Sequence, residues 1–189
     1  MIRELIKKNR TYRRFEQNCK ITREQMTSWV DLARLSSSGA NLQPLKYFLS
    51  CDEEKNKLIF PHLKWAGYFQ DWNGPEEGER PAAYIVVLGD KSISSNYFWD
   101  HGIACQSILL GACEEGFGGC MFASADKKGL QKDLALDDQL EILVVIALGK
   151  PKEEVVLEEL GEGQSIRYWR DEKGVHHVPK RKLEDLIID

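Results

Sequence analysis

The feature that most constrains this chain is a run of seven apolar residues, Ile142–Leu148. A run of that length is far too short to cross a bilayer, which takes roughly 20 residues as a helix. It predicts a buried strand at the centre of the fold, stopped by Gly149-Lys150-Pro151. Around it the chain alternates helical and extended patterns, with no internal repeat and no low-complexity stretch. A short amphipathic helix over Ile2–Lys8 leads to a basic turn, Arg10–Arg14. Thr22 followed by Gln25 is a capping signature for a second helix running to about Leu35, with Met26, Trp29, Val30 and Ala33 at helical spacing. Strands are expected at Tyr47–Cys51 and Ala82–Leu88, with a short helix at Glu53–Phe60 between them. A long helix from about Tyr97 to Glu115 carries an expected apolar stripe of Ile103, Ser107, Leu110 and Cys113, and Gly116, Gly118 and Gly119 end it. Cys120–Ala123 re-enters extended structure, and Lys127–Leu134 is a short helix before the central strand.

Length and charge narrow the classes. A chain of 189 residues fits one domain, expected over 1–189, that can bury a core without disulfides or metal. A net charge of −4 gives no electrostatic reason to expect nucleic acid. The N-terminus, with Arg3, Lys7, Lys8 and Arg10, lacks the apolar core of a signal peptide, so a cytoplasmic, membrane-free protein is the expectation. The five cysteines form no C-x-x-C pair, and His62, His101, His176 and His177 do not combine with them at ligand spacing; no metal site is expected.

Four segments invite chemistry. Arg10-Thr11-Tyr12-Arg13-Arg14 places cations and a hydroxyl together, a set that suits phosphate oxygens, although such a turn is more often a solvated surface. A second basic cluster is Lys180-Arg181-Lys182, open to the same two interpretations. Ser36 to Pro44 offers hydroxyls, amides and a glycine between a helix and a strand, either an ordinary loop or donors for a heterocycle's polar edge. His62 to Pro81 carries Trp65, Tyr68, Phe69 and Trp72 among breakers, as a lid over a site or a packed surface loop. No dinucleotide fingerprint follows a strand, and no nucleophile elbow is present.

The order and spacing of these segments resemble the nitroreductase family of FMN enzymes. The matching pieces are Arg10–Phe15, Ser37–Pro44, the helix from Asp100 through Gly102 and Ala104 to Gly118-Gly119-Cys120, Ile146–Pro151, and the late Arg181. The resemblance implies an α+β fold: a mixed central sheet flanked by helices, in an intertwined homodimer with C-terminal arm exchange. The arm would begin near residue 152 and pack on the partner subunit. It also implies that Arg10, Thr11 and Arg181, with Lys180 as an addition, hold the FMN phosphate and ribityl chain. Arg13 would approach the pyrimidine edge, where a cation stabilises the reduced ring. Ser37, Ser38, Gly39 and Asn41 would reach the flavin from the other subunit, while Met121, Phe122, Ala123 and Ser124 would cover one face. Trp65, Tyr68, Phe69 and Trp72 are the candidate substrate lid.

The chain departs from the family pattern at Asn9, often basic, at Ser37, often proline, at Leu45, often tryptophan, and at Ala123-Ser124, often containing glycine. None of these removes an indispensable side chain, because the flavin carries the chemistry and no catalytic side chain is expected. The implied activity is ping-pong transfer of hydride from NADH or NADPH through flavin N5 to a nitroaromatic, a quinone or another flat electrophile. The alternatives are a family member with a narrower metabolite substrate, or a non-catalytic flavin-binding module.

Overall fold

The structure, a computed structural model, describes residues 1–69 and 71–188. The run Ile142–Leu148 lies within strand β4 (Leu140–Gly149), inside a four-stranded sheet of order β1-β2-β4-β3. Its other members are β1 (Leu45–Ser50), β2 (Ala83–Asp90) and β3 (Gly118–Phe122). All three pairings are antiparallel, and a parallel contact enters at the edge, where Thr11 bridges Gly119. Side chains alternate across a strand, so β2 and β4 feed two cores at once. Ile85, Val87, Ile146 and Leu148 pack with Met26 and Trp29 of α2 (Arg23–Leu35) and with α4 (Asp100–Glu114). Tyr84, Val86, Val145 and Ala147 face Ile59 of α3 (Glu53–Ile59), Leu130 of α5 (Lys127–Asp133), Trp65 and Phe122. The α+β class with helices on both faces follows directly.

The expected capping box is present: Gln25 N–H donates to the Thr22 hydroxyl at 3.2 Å, and the Thr22 N–H donates to Gln25 Oε1 at 3.0 Å. Helix α4 corrects the expected stripe by one position. Its buried side is Ala104, Cys105, Ile108, Leu109, Gly111 and Ala112, whereas Ile103 is exposed and Ser107, Leu110 and Cys113 are half-buried. The cause is close helix packing: a Cβ at Gly111 would lie 2.5 Å from Leu32 and 3.2 Å from Trp29. Small residues therefore face α2 at the closest approach, while Ile108 and Leu109 fill the core on either side. The glycines after α4 also divide their roles. Gly116 turns the chain with a φ of +83°, while Gly118 and Gly119 belong to β3, where a Cβ at Gly119 would meet the Ala147 carbonyl oxygen at 2.4 Å.

Beyond Pro151 the chain forms a second, three-stranded sheet from β5 (Val155–Glu159), β6 (Trp169–Arg170) and β7 (His176–Lys180), in the order β5-β7-β6. This sheet lies against the chain's own basic turn: Lys152 N–H donates to the Arg14 carbonyl at 3.0 Å and Phe15 bridges Pro151. Leu183, Leu186, Ile187 and Ile188 follow it, all exposed. Among the described residues, no helix is long and apolar enough to cross a membrane.

Candidate functional site

The basic turn leaves the C-terminal end of α1 (Ile2–Lys8) and is fastened from both sides. The Arg10 guanidinium donates to the Ile6 carbonyl at 2.7 Å, and the Tyr12 hydroxyl donates to the Lys8 carbonyl at 2.9 Å. The Tyr12 N–H reaches the Gly119 carbonyl at 3.0 Å, which ties the turn to the free edge of β3. Between the turn, α4, β3 and the small sheet lies a cavity of about 290 Å³. Arg10, Thr11, Arg13, Met121 and Lys180 line it, so one hollow gathers residues from both ends of the chain. Asn9, Gln106, Leu109, Gly119, Val155, Tyr168, His176 and Val178 complete the wall.

Strand alternation explains which basic residue of the C-terminal cluster takes part. His176, Val178 and Lys180 line the cavity from one face of β7. Arg181 falls outside the strand and the lining, and is exposed. The spacing of His176, Val178 and Lys180 was visible in the sequence as a period of two, but no apolar run marked it as a strand.

Electrostatics concentrate behind the wall. Arg13 is buried, with its guanidinium carbon 4.7 Å from the centre of the Tyr168 ring. The Nε atoms of Arg10 and Arg13 are buried and have no hydrogen-bond partner among the described residues. Glu153, with a side chain only 2% exposed, accepts the backbone N–H groups of Arg13 and Arg14 and the Arg170 guanidinium, the last at 2.8 Å. His176 is fully buried, and burial, then the nearby Arg13 charge, hold its pKa down to about 4. It is therefore neutral at ordinary pH.

The serine-rich loop folds around a different carboxylate. Asp100, buried at the start of α4, accepts the Ser38 hydroxyl at 2.6 Å and the Gly39 N–H at 2.8 Å. Ser38 also accepts the Gln43 N–H, at 2.9 Å. Those polar groups are thus engaged within the loop, whereas Ser37 and Asn41 are exposed. Ala40, Asn41 and Gln43 adopt positive φ angles, and a Cβ at Gly39 would meet the Phe98 ring at 2.6 Å. Asp100 anchors a loop that local sterics alone would disfavour. Ser37 and Ser38 line a second cavity of about 160 Å³ with Tyr47 and Ala104, on another part of α4, and none of its lining residues borders the first.

The stretch after β3 divides too. Met121 is exposed and lines the first cavity, Phe122 is buried against Trp65 at 4.6 Å, and Ala123 and Ser124 are exposed. In the aromatic segment, Trp65 is a core residue and not a lid, because its ring fills the space between Phe122 and Phe60. Tyr68, Phe69 and Trp72 sit instead against the tail. Tyr68 and Phe69 contact Tyr168 at 4.8 and 5.2 Å, and Arg170 lies over both Phe69 and Trp72. Tyr168, Arg170, His176 and Glu153 were not legible as site residues in sequence. A larger cavity of about 660 Å³ lies between Gln17–Ile21, α3 and Glu77–Tyr84, and contains none of the expected site residues. Its Lys57 and Arg80 are paired to Glu53 and Glu77.

With this geometry in place, the comparisons with known proteins are specific. The family model described as the nitroreductase family matches residues 6–150. The Bacillus subtilis (strain 168) protein MhqN, named as an NAD(P)H nitroreductase, is 24% identical over 79% of this chain and 88% of its own. A nitroreductase family protein from Clostridium novyi NT shares 24% identity and a TM-score of 0.66, over 80% of this chain and 87% of its own. A protein from Exiguobacterium sibiricum 255-15, solved in complex with FMN, has a TM-score of 0.68 at 18% identity, over 81% of this chain and 89% of its own. The match over residues 6–150 takes in the basic turn, the serine-rich loop, β3 and the central strand, and this chain belongs to the nitroreductase family.

Proposed function

We propose that the chain binds FMN in the cavity beside the basic turn and works, as a homodimer, as an oxidoreductase that passes electrons from NADH or NADPH to a small flat acceptor such as a nitroaromatic or a quinone. The observation that carries this is the convergence of Arg10, Thr11, Arg13 and Lys180 on one hollow, with the buried Nε–H groups of Arg10 and Arg13 lacking acceptors among the described residues. Such donors fit a phosphate and the carbonyl oxygens of a flavin ring. Arg10, Thr11 and Lys180 hold the phosphate end, and Arg13 lies toward the pyrimidine edge. Met121 supplies an apolar floor.

FMN, when bound, supplies a ring that accepts hydride from the nicotinamide and yields it to the acceptor. The chain's own work is to bind, to orient and to keep a fixed cation beside the ring, with no side-chain nucleophile or base. A homodimer is supported by the separation of the two cavities along α4, since Ser37 lines the second and not the first and would, with Asn41, meet the flavin of a neighbouring copy. It is also supported by exposed apolar groups beside the loop, including Leu35, Leu42, Phe98, Trp99 and Ile103. The arm expected from near residue 152 lies against its own chain's basic turn at Pro151 and Lys152 and forms the small sheet up to Lys180. The part proposed to reach the partner is therefore the stretch after it, with the exposed Leu183, Leu186, Ile187 and Ile188.

The test is an absorbance spectrum of the purified protein, followed anaerobically after adding NADH or NADPH. Flavin bands that bleach support the enzyme. Bands that persist with both donors leave a flavin-binding module without this activity, and a colourless protein that takes up no added FMN overturns the proposal.

A further inference from the structure

We infer that Glu153 is the positioning residue of this site: it fixes the basic turn and sets the net charge behind the cavity. The inference rests on the FMN proposal above and adds to it a residue beyond the matched stretch 6–150.

Three features lead to it. Glu153 Oε1 accepts two consecutive backbone N–H groups, those of Arg13 and Arg14, so one carboxylate oxygen fixes the turn from which Arg13 enters the cavity. Glu153 Oε2 accepts the Arg170 guanidinium at 2.8 Å, and that guanidinium lies 4.8 Å over Phe69 and 4.6 Å over Trp72. The same side chain thereby joins the basic turn at Arg13 to the aromatic segment. Glu153 is also the anion that pairs with the Arg170 guanidinium, its side chain buried beside the backbone of Arg13 and Arg14 and 3.9 Å from His176 of the cavity wall. Charges in a site of low dielectric act over longer distances than in water. Removing this anion leaves Arg170 without its carboxylate and makes the surroundings of Arg13 more positive behind a ring that gains negative charge on reduction, which favours the reduced form.

The experiment uses the FMN-loaded dimer. In Glu153→Gln the side-chain carbonyl can still accept the two backbone N–H groups, but the charge is gone. The midpoint potential of the bound flavin is expected to rise. In Glu153→Gln combined with Arg170→Met, one anion and one cation leave together, and the potential is expected to return toward the wild-type value. A purely structural role would shift neither, so a wild-type potential in Glu153→Gln overturns the inference. If Glu153→Gln does not fold, Glu153→Asp keeps the charge but shortens the arm. The dissociation constant for FMN is then expected to rise about ten-fold at an unchanged potential, the loss of roughly one charge-assisted hydrogen bond. Wild-type affinity in that variant overturns the inference. A wild-type protein that takes up no FMN overturns the FMN proposal and this one together, whereas flavin bound normally by every variant at one potential overturns this one alone.

Discussion

In the four-stranded sheet, Ile85, Val87, Ile146 and Leu148 pack on α2 and α4 through side chains without a polar atom. In and beside the small sheet, the inward groups are the buried His176 and Glu153 side chains and the half-buried Arg170, roofed by Phe69, Trp72 and Tyr168. Apolar packing is additive and tolerant, since each side chain contributes roughly in proportion to its buried area. A buried polar cluster is not, because any missing partner leaves a desolvated charge behind. The two regions should therefore fail differently when a residue is removed.

The largest expected effect lies in the apolar region. Trp29 is buried between α2 and α4, packs at 5.6 Å from Phe117, and donates its indole N–H to Glu115 at 2.9 Å. Trp29→Ala should cost about 3–5 kcal/mol through the cavity it leaves. Hydrogen exchange should then accelerate along the whole chain, tail included, because the tail is fastened to the basic turn and the turn to β3 of the main sheet. Loss confined to α2 and α4 would show that the regions unfold separately.

Arg170→Ala probes the polar region. It strips Glu153 of its guanidinium partner, yet the two backbone N–H groups remain. The cost should therefore fall below the 3–5 kcal/mol typical of a broken buried pair, at about 2 kcal/mol. Exchange should accelerate within residues 153–180 and around Phe69 and Trp72, while β2 and β4 stay protected. Uniform acceleration would erase the distinction between the two regions.

This contrast also explains what the sequence made legible. The central strand could be located because burial leaves an unbroken apolar run. Helix α4 could be located but its buried side could not, because large apolar residues lie on both sides of it, Ile108 and Leu109 inside and Ile103 and Leu110 outside, while Ala104, Gly111 and Ala112 complete the packed face. The basic turn and Met121 were assigned to one site through family resemblance, and they do share one cavity. Within the Lys180–Arg181 pair the end of β7 separates lining from non-lining, and a strand of His, Val, Pro and Lys gives no periodic apolar signal. Glu153 is one of 30 acidic residues, and what distinguishes it, burial under a turn 139 positions away, is visible only in three dimensions. Ser38 shows the opposite limit: its hydroxyl suggested a ligand contact, but it is taken by Asp100 and Gln43.

A smaller effect should separate the two neighbouring cations. Lys180→Ala removes a cavity-lining ammonium and should raise the FMN dissociation constant about five- to ten-fold, equivalent to roughly 1–1.4 kcal/mol. Arg181→Ala, outside the lining, should stay within about two-fold, as a solvent-exposed charge contributes little. Titration of the apoprotein with FMN by fluorescence quenching measures both. Equal losses would mean that the cluster acts as a diffuse field, without a defined contact.

The smallest effects, and the sharpest in sign, belong to two adjacent histidines. His176 is buried beside Arg13, Arg170 and Glu153, and its pKa is held at about 4, below the ordinary 6.5. Between those values the unfolded chain takes up a proton that the folded chain refuses. Its contribution to stability is therefore complete above pH 6.5 and is lost as the pH falls through 4. His177 faces the other side of β7, stacks on Trp169 at 4.0 Å, and has its ring nitrogens beside Glu158 and Asp171. The Glu158 hydrogen bond, ahead of the other influences, raises its pKa. Its contribution is complete below pH 6.5 and is lost as the pH rises through that elevated value. Denaturation midpoints of His176→Phe and His177→Gln, followed against wild type from pH 5 to 8, should therefore diverge in opposite directions. On acidification the wild-type advantage over His176→Phe should shrink, while its advantage over His177→Gln should grow. Parallel curves would mean that the tail's histidines titrate as exposed groups, and that the small sheet is not the closed polar cluster that separates it from the apolar core.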